Sequence, residues 1–270
     1  MKTRILAAAV LIPLLLLLVL AAPKIVAAIV FGVMMAIGSY ELIYRTGLVK
    51  HPRLVVYSAL MAFCVTMWSY FGAAHAYGVL GVLLFLIVLF SEMMHDHIKV
   101  RVAMLGECVF AGVIVPYLLS AVIRILAMKV GRYMVLLPFA VACLNDAGAY
   151  FVGLRFGKHK LAPVVSPNKT IEGVLGGLAA SVLGMLVYAL VLFFLDFRVN
   201  FLLAIVYAVL GSGIGVFGDL CFSAIKRQTG IKDYGDLIPG HGGVLDRFDS
   251  MMTVAPLIEV LLLVLPFAAA

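Results

Sequence analysis

Residues 171–195 read IEGVLGGLAASVLGMLVYALVLFFL, with a single charged side chain, Glu172, at the start. At a rise of 1.5 Å per residue, such a run crosses the roughly 30 Å hydrocarbon core of a bilayer as one helix. Working outward, apolar stretches of similar length lie near 5–22, 24–44, 54–71, 73–90, 102–123, 133–154, 201–225 and 251–269. About nine spans are therefore expected, the first two joined tightly at Pro23 and Lys24. The whole chain agrees: 65% of its residues are hydrophobic, 12% are charged, and the mean hydropathy is +1.20. Soluble domains do not have this usage. The expected fold class is all-α, a polytopic membrane protein with its polar active-site cavity in the C-terminal half. The first stretch follows Lys2 and Arg4 as a signal peptide would, but no Ala-x-Ala-like site and soluble domain come after it, so it is expected to be retained.

Charge orients the spans. With nine of them, five of the 20 basic residues (Lys24, Arg124, Lys129, Arg132 and Arg198) fall on one side and the rest on the side of the N terminus. Basic residues in short loops stay cytoplasmic, which places the N terminus and the loop before the last span in the cytoplasm. A pI near 9.3 then reflects topology and anionic headgroups, and no nucleic-acid partner is expected. Cys64, Cys108, Cys143 and Cys221 lie within apolar stretches without CxxC or Cys/His spacing, so neither a disulfide framework nor a zinc site is indicated.

Polar residues are distributed unevenly. Through residue 132 they sit mostly in loops, and Glu41, Glu107, Glu259 and the His95-Asp96-His97 run read as helix-end or loop charge. After residue 140 they crowd into the apolar stretches: Asn145 and Asp146, the segment from Ser166 to Glu172, and Asp219, Ser223 and Lys226. An ionisable group in hydrocarbon costs about 2.5–3.5 kcal/mol on insertion scales, so several together imply a wet cavity between helices. Asp146 alone reads equally well as a bundle-stabilising partner of a lysine. The spacing of Asp219, Ser223 and Lys226 puts them on one helix face, beside a run of small residues from Gly211 to Gly218 that lets neighbours approach. Small-x3-small pairs such as Gly173/Gly177 and Gly211/Gly215 serve packing within one chain or between two, which leaves a homodimer open.

The segment Ser166-Pro167-Asn168-Lys169-Thr170-Ile171-Glu172-Gly173 reads as a capped helix start with Lys169 beside it, an anion site at the cytoplasmic face. It is not a P-loop, because the Gly-x4-Gly-Lys-Ser/Thr pattern and a preceding strand are both lacking.

From Ser223 to Asp249 the chain reads SAIKRQTGIKDYGDLIPGHGGVLDRFD. This resembles the signature of bacterial phosphatidate cytidylyltransferases, also called CDP-diacylglycerol synthases. The matching positions are Ser223, Lys226, Arg227, Lys232, Asp233, Gly235, Pro239, His241, Gly242, Gly243, Asp246, Arg247 and Asp249. The Ser166 segment and Asn145-Asp146 are similar to secondary motifs of the same family, whereas residues 1–132 resemble it only in hydropathy. The resemblance implies transfer of CMP from CTP to phosphatidic acid, with CDP-diacylglycerol and pyrophosphate as products, in phospholipid biosynthesis at the bacterial inner membrane. It divides the chain into an N-terminal bundle, 1–132, serving as scaffold or for oligomerisation, and a catalytic region, 133–270, carrying a cytoplasmic loop at 226–250.

Such a reaction gathers several negative charges, so its catalysis is mostly neutralisation and positioning. Asp219, Asp246 and Asp249, with Asp146 from the secondary motif, are the candidate ligands of Mg2+ and of any second cation. Asp219, Lys226, Asp246, Arg247 and His241 are the expected catalytic set, His241 as a phosphate-contacting donor. Ser166, Asn168, Lys169, Thr170, Ser223, Arg227, Lys232, Asp233, Gly242 and Gly243 are the expected substrate contacts. Gly240, Gly242 and Gly243 would let backbone N–H groups approach phosphate, and Lys226, Lys232 and Arg247 would neutralise it. Asp219 and Asp246 are the favoured metal pair and Asp249 the reserve.

A transporter also carries buried charge on broken helices, but no inverted repeat is visible here. A CTP-dependent polyprenol or phytol kinase and an archaeal-type CDP-archaeol synthase are the nearer rivals. The orientation has a direct check. With Gln228 changed to cysteine, an impermeant thiol reagent added outside intact cells should fail to label that position, and efficient labelling would reverse the topology.

Overall fold

The computed structural model describes residues 9, 13–72, 75–237, 240 and 242–269. Helix α1 covers 13–20, and the start of the expected span at 5–22 lies largely outside the described residues. Seven helices among the described residues are long and apolar enough to cross a membrane: α2 (Lys24–Arg45), α3 (Pro52–Phe71), α4 (His75–His95), α5 (Val102–Ala127), α6 (Gly131–Phe156), α7 (Ile171–Phe194) and α8 (Phe201–Gln228). A shorter apolar helix, α9 (Met251–Val264), follows. The chain is an all-α, polytopic membrane protein.

The expected ninth span over 251–269 is shorter than read. At 14 residues, α9 is about 21 Å long, less than a bilayer core. Pro266 disfavours helical geometry at Leu265, and the chain beyond turns into a two-residue strand. Strand β4 (Ala268–Ala269) pairs antiparallel with β3 (Arg198–Val199), the connection between α7 and α8. A second antiparallel ribbon joins α6 to α7: β1 (Lys160–Ala162) and β2 (Ser166–Thr170). The Ser166 segment is thus extended rather than the opening turn of a helix. Pro167 biases Ser166 away from helical dihedrals, and Thr170 is itself extended, its Oγ1 accepting the Gly173 amide at 3.1 Å as the cap of α7.

The chain divides into two compact units. One comprises the chain through Ala127 together with Gln228–Phe248; the other comprises Met128–Arg227 and the chain from Asp249 onward. In the first unit α2 and α3 pack closely, burying Ala27, Ala28, Phe31, Leu54 and Ala62. Two turns of this unit widen to π geometry, Glu41–Arg45 at the end of α2 and Phe110–Ile114 within α5. Helix α5 then breaks at Ser120, whose hydroxyl lies 2.6 Å from the Pro116 carbonyl and 3.1 Å from Thr66 Oγ1. By contrast α4 buries only Phe85 and Leu89 among its side chains and presents apolar residues elsewhere, as a lipid-facing helix does.

In the second unit α6 and α7 are in contact along most of their length through small residues. Gly173 and Gly177 face Ala149 and Asn145 of α6, and Gly211 and Gly215 face Val141 of α6 and Val254 of α9. Both small-x3-small pairs therefore serve packing within the chain. Asn145 is 3% exposed and receives the Ser212 hydroxyl at 2.5 Å, joining α6 to α8 through a satisfied polar contact.

A Cβ at Gly177 would stand 2.6 Å from the Asn145 carbonyl oxygen, whereas one at Gly213 meets nothing within 4 Å. Gly177→Ala should cost about 1–3 kcal/mol through backbone displacement. Gly213→Ala should be neutral or stabilising by up to about 1 kcal/mol. Melting of both variants in one detergent, read against the parent, checks the pair.

Candidate active site

The second unit gathers the charged residues of three segments. Asp219 lies on α8, and the Ser223 hydroxyl one turn later donates to its Oδ1 at 3.2 Å. The other carboxylate oxygen pairs with Lys169 Nζ of β2. Both side chains are about three-quarters buried, so this pair is shielded from bulk screening. Lys226, two turns along α8 from Asp219, stands 3.8 Å from Asp249 Oδ2, with side-chain exposures of 11% and 18%. Gly218 makes this approach feasible: a Cβ there would come within 3.1 Å of the Asp249 carbonyl oxygen. Burial first, and then the charge of Asp219, push the Asp249 carboxyl up to about 7, and Asp146 adds to the effect, while Lys226 opposes it. Three carboxylates thus share an electrostatic neighbourhood with two lysines.

The first unit holds the remainder of the signature. Loop Gln228–Phe248 ends in a 3-10 turn, Leu245–Arg247, whose leading amides need acceptors. Asp246 folds back so that its Oδ2 accepts the Tyr234 amide at 2.8 Å and the Gly243 amide at 3.0 Å. Glu41 supplies the others: its Oε1 accepts from Val244 N at 3.0 Å and its Oε2 from Leu245 N at 2.9 Å. Gly242 has φ +86, a region that disfavours side chains, and a Cβ there would also press on Asp246 Oδ2 at 2.8 Å. Phe248 closes the loop edge-on against Phe31, ring centroids 5.7 Å apart.

A model of the cytidylyltransferase family matches residues 2–265. The chain belongs to the cytidylyltransferase family. Among curated relatives, a phosphatidate cytidylyltransferase of Staphylococcus haemolyticus (strain JCSC1435) is 50% identical over 133 residues, 49% of this chain and 50% of the relative. Phosphatidate cytidylyltransferases of Staphylococcus aureus (strain COL) and Staphylococcus epidermidis (strain ATCC 35984 / DSM 28319 / BCRC 17069 / CCUG 31568 / BM 3577 / RP62A) are 47% and 48% identical over 133 and 132 residues. In each case 49% of this chain is covered, against 50% and 49% of the relative. The chain spans about half the length of the curated relatives it matches.

This cytidylyltransferase-family chain distributes its expected site residues between the units. Asp219, Ser223, Lys226, Lys169 and Asp249 come together in one; Asp246 and Gly243 engage partners in the other. Lys169, expected at phosphate, is paired with Asp219. The Gly243 amide, expected to face phosphate, is taken by Asp246. Arg227 Nε donates to the Val165 carbonyl at 3.3 Å, fixing the end of α8 to the hairpin turn. Asn168, Lys232, Asp233 and Arg247 are exposed, Ser166 is half-buried on β2, and Thr170 caps α7. His241 lies outside the described residues. Glu41, expected to be ordinary helix-end charge, is instead 3% exposed and anchors the signature loop.

Family chemistry calls for a divalent cation beside the triphosphate. Among the described residues no group of three or more His, Cys, Asp or Glu converges as a closed metal site. A Mg2+ ion requires less, one or two carboxylates with water and phosphate completing six positions. Asp219 and Asp249 supply two such carboxylates, each largely buried and each beside a lysine.

The upward shift of Asp249 sets a pH signature. Between its ordinary 3.8 and its folded value of about 7, Asp249 holds a proton in the folded chain that the unfolded chain releases. Stability from this group therefore falls as pH rises through that window and levels off above it. In chelator, melting temperature should decline between about pH 5 and pH 7.5, and Asp249→Asn should flatten the decline. Identical slopes in both proteins would refute the shift.

Proposed function

We propose that the chain transfers the cytidylyl group of CTP to phosphatidic acid. A phosphate oxygen of the lipid attacks the α-phosphorus, the bond from that phosphorus to the bridging oxygen of the β-phosphate breaks, and pyrophosphate leaves, giving CDP-diacylglycerol. The observation that carries this reading is the paired cluster Asp219–Lys169 and Asp249–Lys226 on segments bordering the apolar helices. Membership of the cytidylyltransferase family and the names of the staphylococcal relatives support the same reaction.

The lipid phosphate is already a competent nucleophile, so no serine or cysteine ester is required. What the reaction needs is tolerance of converging negative charge and alignment of the leaving pyrophosphate. Lys169 and Lys226 supply positive charge in a poorly hydrated setting, where it acts over more than a Debye-screened contact would. A Mg2+ ion held by Asp219 and Asp249 would supply charge neutralisation at the triphosphate. Ser223, through its hydrogen bond to Asp219 Oδ1, fixes the rotamer of that carboxylate. Exposed Arg247 and Lys232 are suited to recruit an anionic headgroup or nucleotide from the cytoplasm. The setting is the bacterial cytoplasmic membrane, with the N terminus and the signature loop on the cytoplasmic side, where CTP is found.

CTP labelled at the α-phosphorus or at the γ-phosphorus decides the reaction class with purified protein, phosphatidate and a Mg2+ titration. Label from the α-position should enter the lipid. Entry of γ-label would establish a lipid kinase, and entry of neither would remove the enzyme reading. Asp219→Asn, which keeps size but deletes charge, should lower the rate by at least ~100-fold while the protein still folds. A wild-type rate and Mg2+ requirement without Asp219 would dismiss it from the site. Lys169→Ala should impair turnover of phosphatidate.

A further inference from the structure

The loop bearing Asp246 and Arg247 receives its support from a residue more than 200 positions earlier in the chain. Glu41 begins the π turn that ends α2, and its carboxylate is 3% exposed. Both oxygens are used: Oε1 accepts from Val244 N and Oε2 from Leu245 N, at 3.0 and 2.9 Å. These are the amides immediately before Asp246, at the start of a 3-10 turn that has no preceding turn to satisfy them. The fit is close from the other side as well. A Cβ at either Gly235 or Gly243 would collide with the Glu41 carboxylate, so both strands of the loop approach it as bare backbone. The same π turn ends in Arg45, which pairs with Asp236 of the loop.

We propose that Glu41 is a positioning residue for cytidylyl transfer: its carboxylate clamps the Val244 and Leu245 amides and thereby fixes the stations of Asp246 and Arg247. The catalytic half of the statement rests on the function proposed above; the clamp does not. The chemistry favours a carboxylate over any neutral acceptor. One planar group with two oxygens matches two successive N–H donors, and a charged acceptor makes the stronger bonds. Asp246 takes the next amide, Gly243 N, with its own Oδ2. Three consecutive backbone donors are thus held by two carboxylates, which stiffens the turn carrying Arg247. Arg45–Asp236 is exposed on both sides and adds little by comparison.

Hydrogen exchange of the detergent-purified full chain separates clamp from general packing. In Glu41→Gln one oxygen is replaced by an NH2 donor facing an amide donor. Peptides covering 242–248 should then exchange about 10- to 100-fold faster, while α3 peptides keep the parent rate. Glu92→Gln, which alters a carboxylate of the same unit bonded to Tyr57 and paired with Arg53, should leave the loop unaffected. If Glu41→Gln does not fold, Gly243→Ala serves instead, since its methyl displaces the carboxylate without deleting charge. Loop exchange at the parent rate, or acceleration spread equally over α3, overturns the clamp. With the loop loosened, kcat for transfer of α-label from CTP should fall by a similar factor with the KM for CTP changed far less, and an unchanged kcat overturns the positioning role. A parent protein that transfers no label would instead defeat the proposed reaction and leave the exchange result standing.

Discussion

A carboxylate placed among apolar helices must be compensated where it stands, and that requirement organises both units of this chain. The penalty for an unpaired ionised group far exceeds what a few methyl contacts return. Four acids of the signature loop and its surroundings have assigned company, whereas Glu107 of α5 keeps one buried oxygen without a hydrogen-bond partner among the described residues. Asp219 has Lys169 and Ser223, Asp249 has Lys226, Asp246 has two loop amides, and Glu41 has two more. The compensation differs in kind between the units. In the second it comes mainly from lysine side chains, with the Ser223 hydroxyl and the Ser250 amide beside them, and in the first from fixed backbone dipoles.

That difference has functional content. A lysine ammonium is a point charge on a flexible stem, and it can leave one oxygen for another at small conformational expense. A cluster balanced by lysines can therefore accept additional ions, because its counter-charges are able to rearrange. Backbone amides held by carboxylates cannot, since moving them means unfolding a turn. The chain thus keeps its adaptable charges on the helical face of Asp219 and Ser223 and its rigid ones in the glycine-rich loop. The small residues serve the same division. Gly218 lets the backbone at Asp249 approach α8, and Gly243 lets the loop settle on Glu41.

Hydropathy alone was enough to read the apolar helices, because the bilayer admits few alternatives to a hydrogen-bonded span of about 20 residues. Helical spacing placed Ser223 and Asp219 on one face, where a hydrogen bond joins them. Local chemistry was less legible where two signals competed. At Ser166 to Thr170 the capping residues pointed to a helix start, but Pro167 and the partner strand at Lys160–Ala162 hold the segment extended until Ile171. At the last helix the apolar run continued past Val264, and hydropathy outvoted Pro266 in the reading though not in the chain. Partner choice was least legible of all. Nothing in the spacing connects Lys169 to Asp219 across a helix, or Glu41 to amides some 200 residues away, because both pairings depend on how segments pack.

The position of Glu41 also gives the N-terminal half, which the family model matches along with the rest of residues 2–265, a part in holding the signature loop. A 3-10 turn of three residues cannot satisfy its own leading amides, and water is a poor substitute where Val244 and Leu245 are buried. An acceptor must therefore come from another element, and only a side chain with two oxygens meets two adjacent donors at once. The helix supplying it has to end at the depth of the loop and turn its terminal side chain inward. The π turn at Glu41–Arg45 provides that change of pitch at the point where α2 leaves its regular path. One apolar helix thus does two jobs, with its body packed on α3 and its last turn fixing a polar loop that the C-terminal signature could not hold in shape by itself.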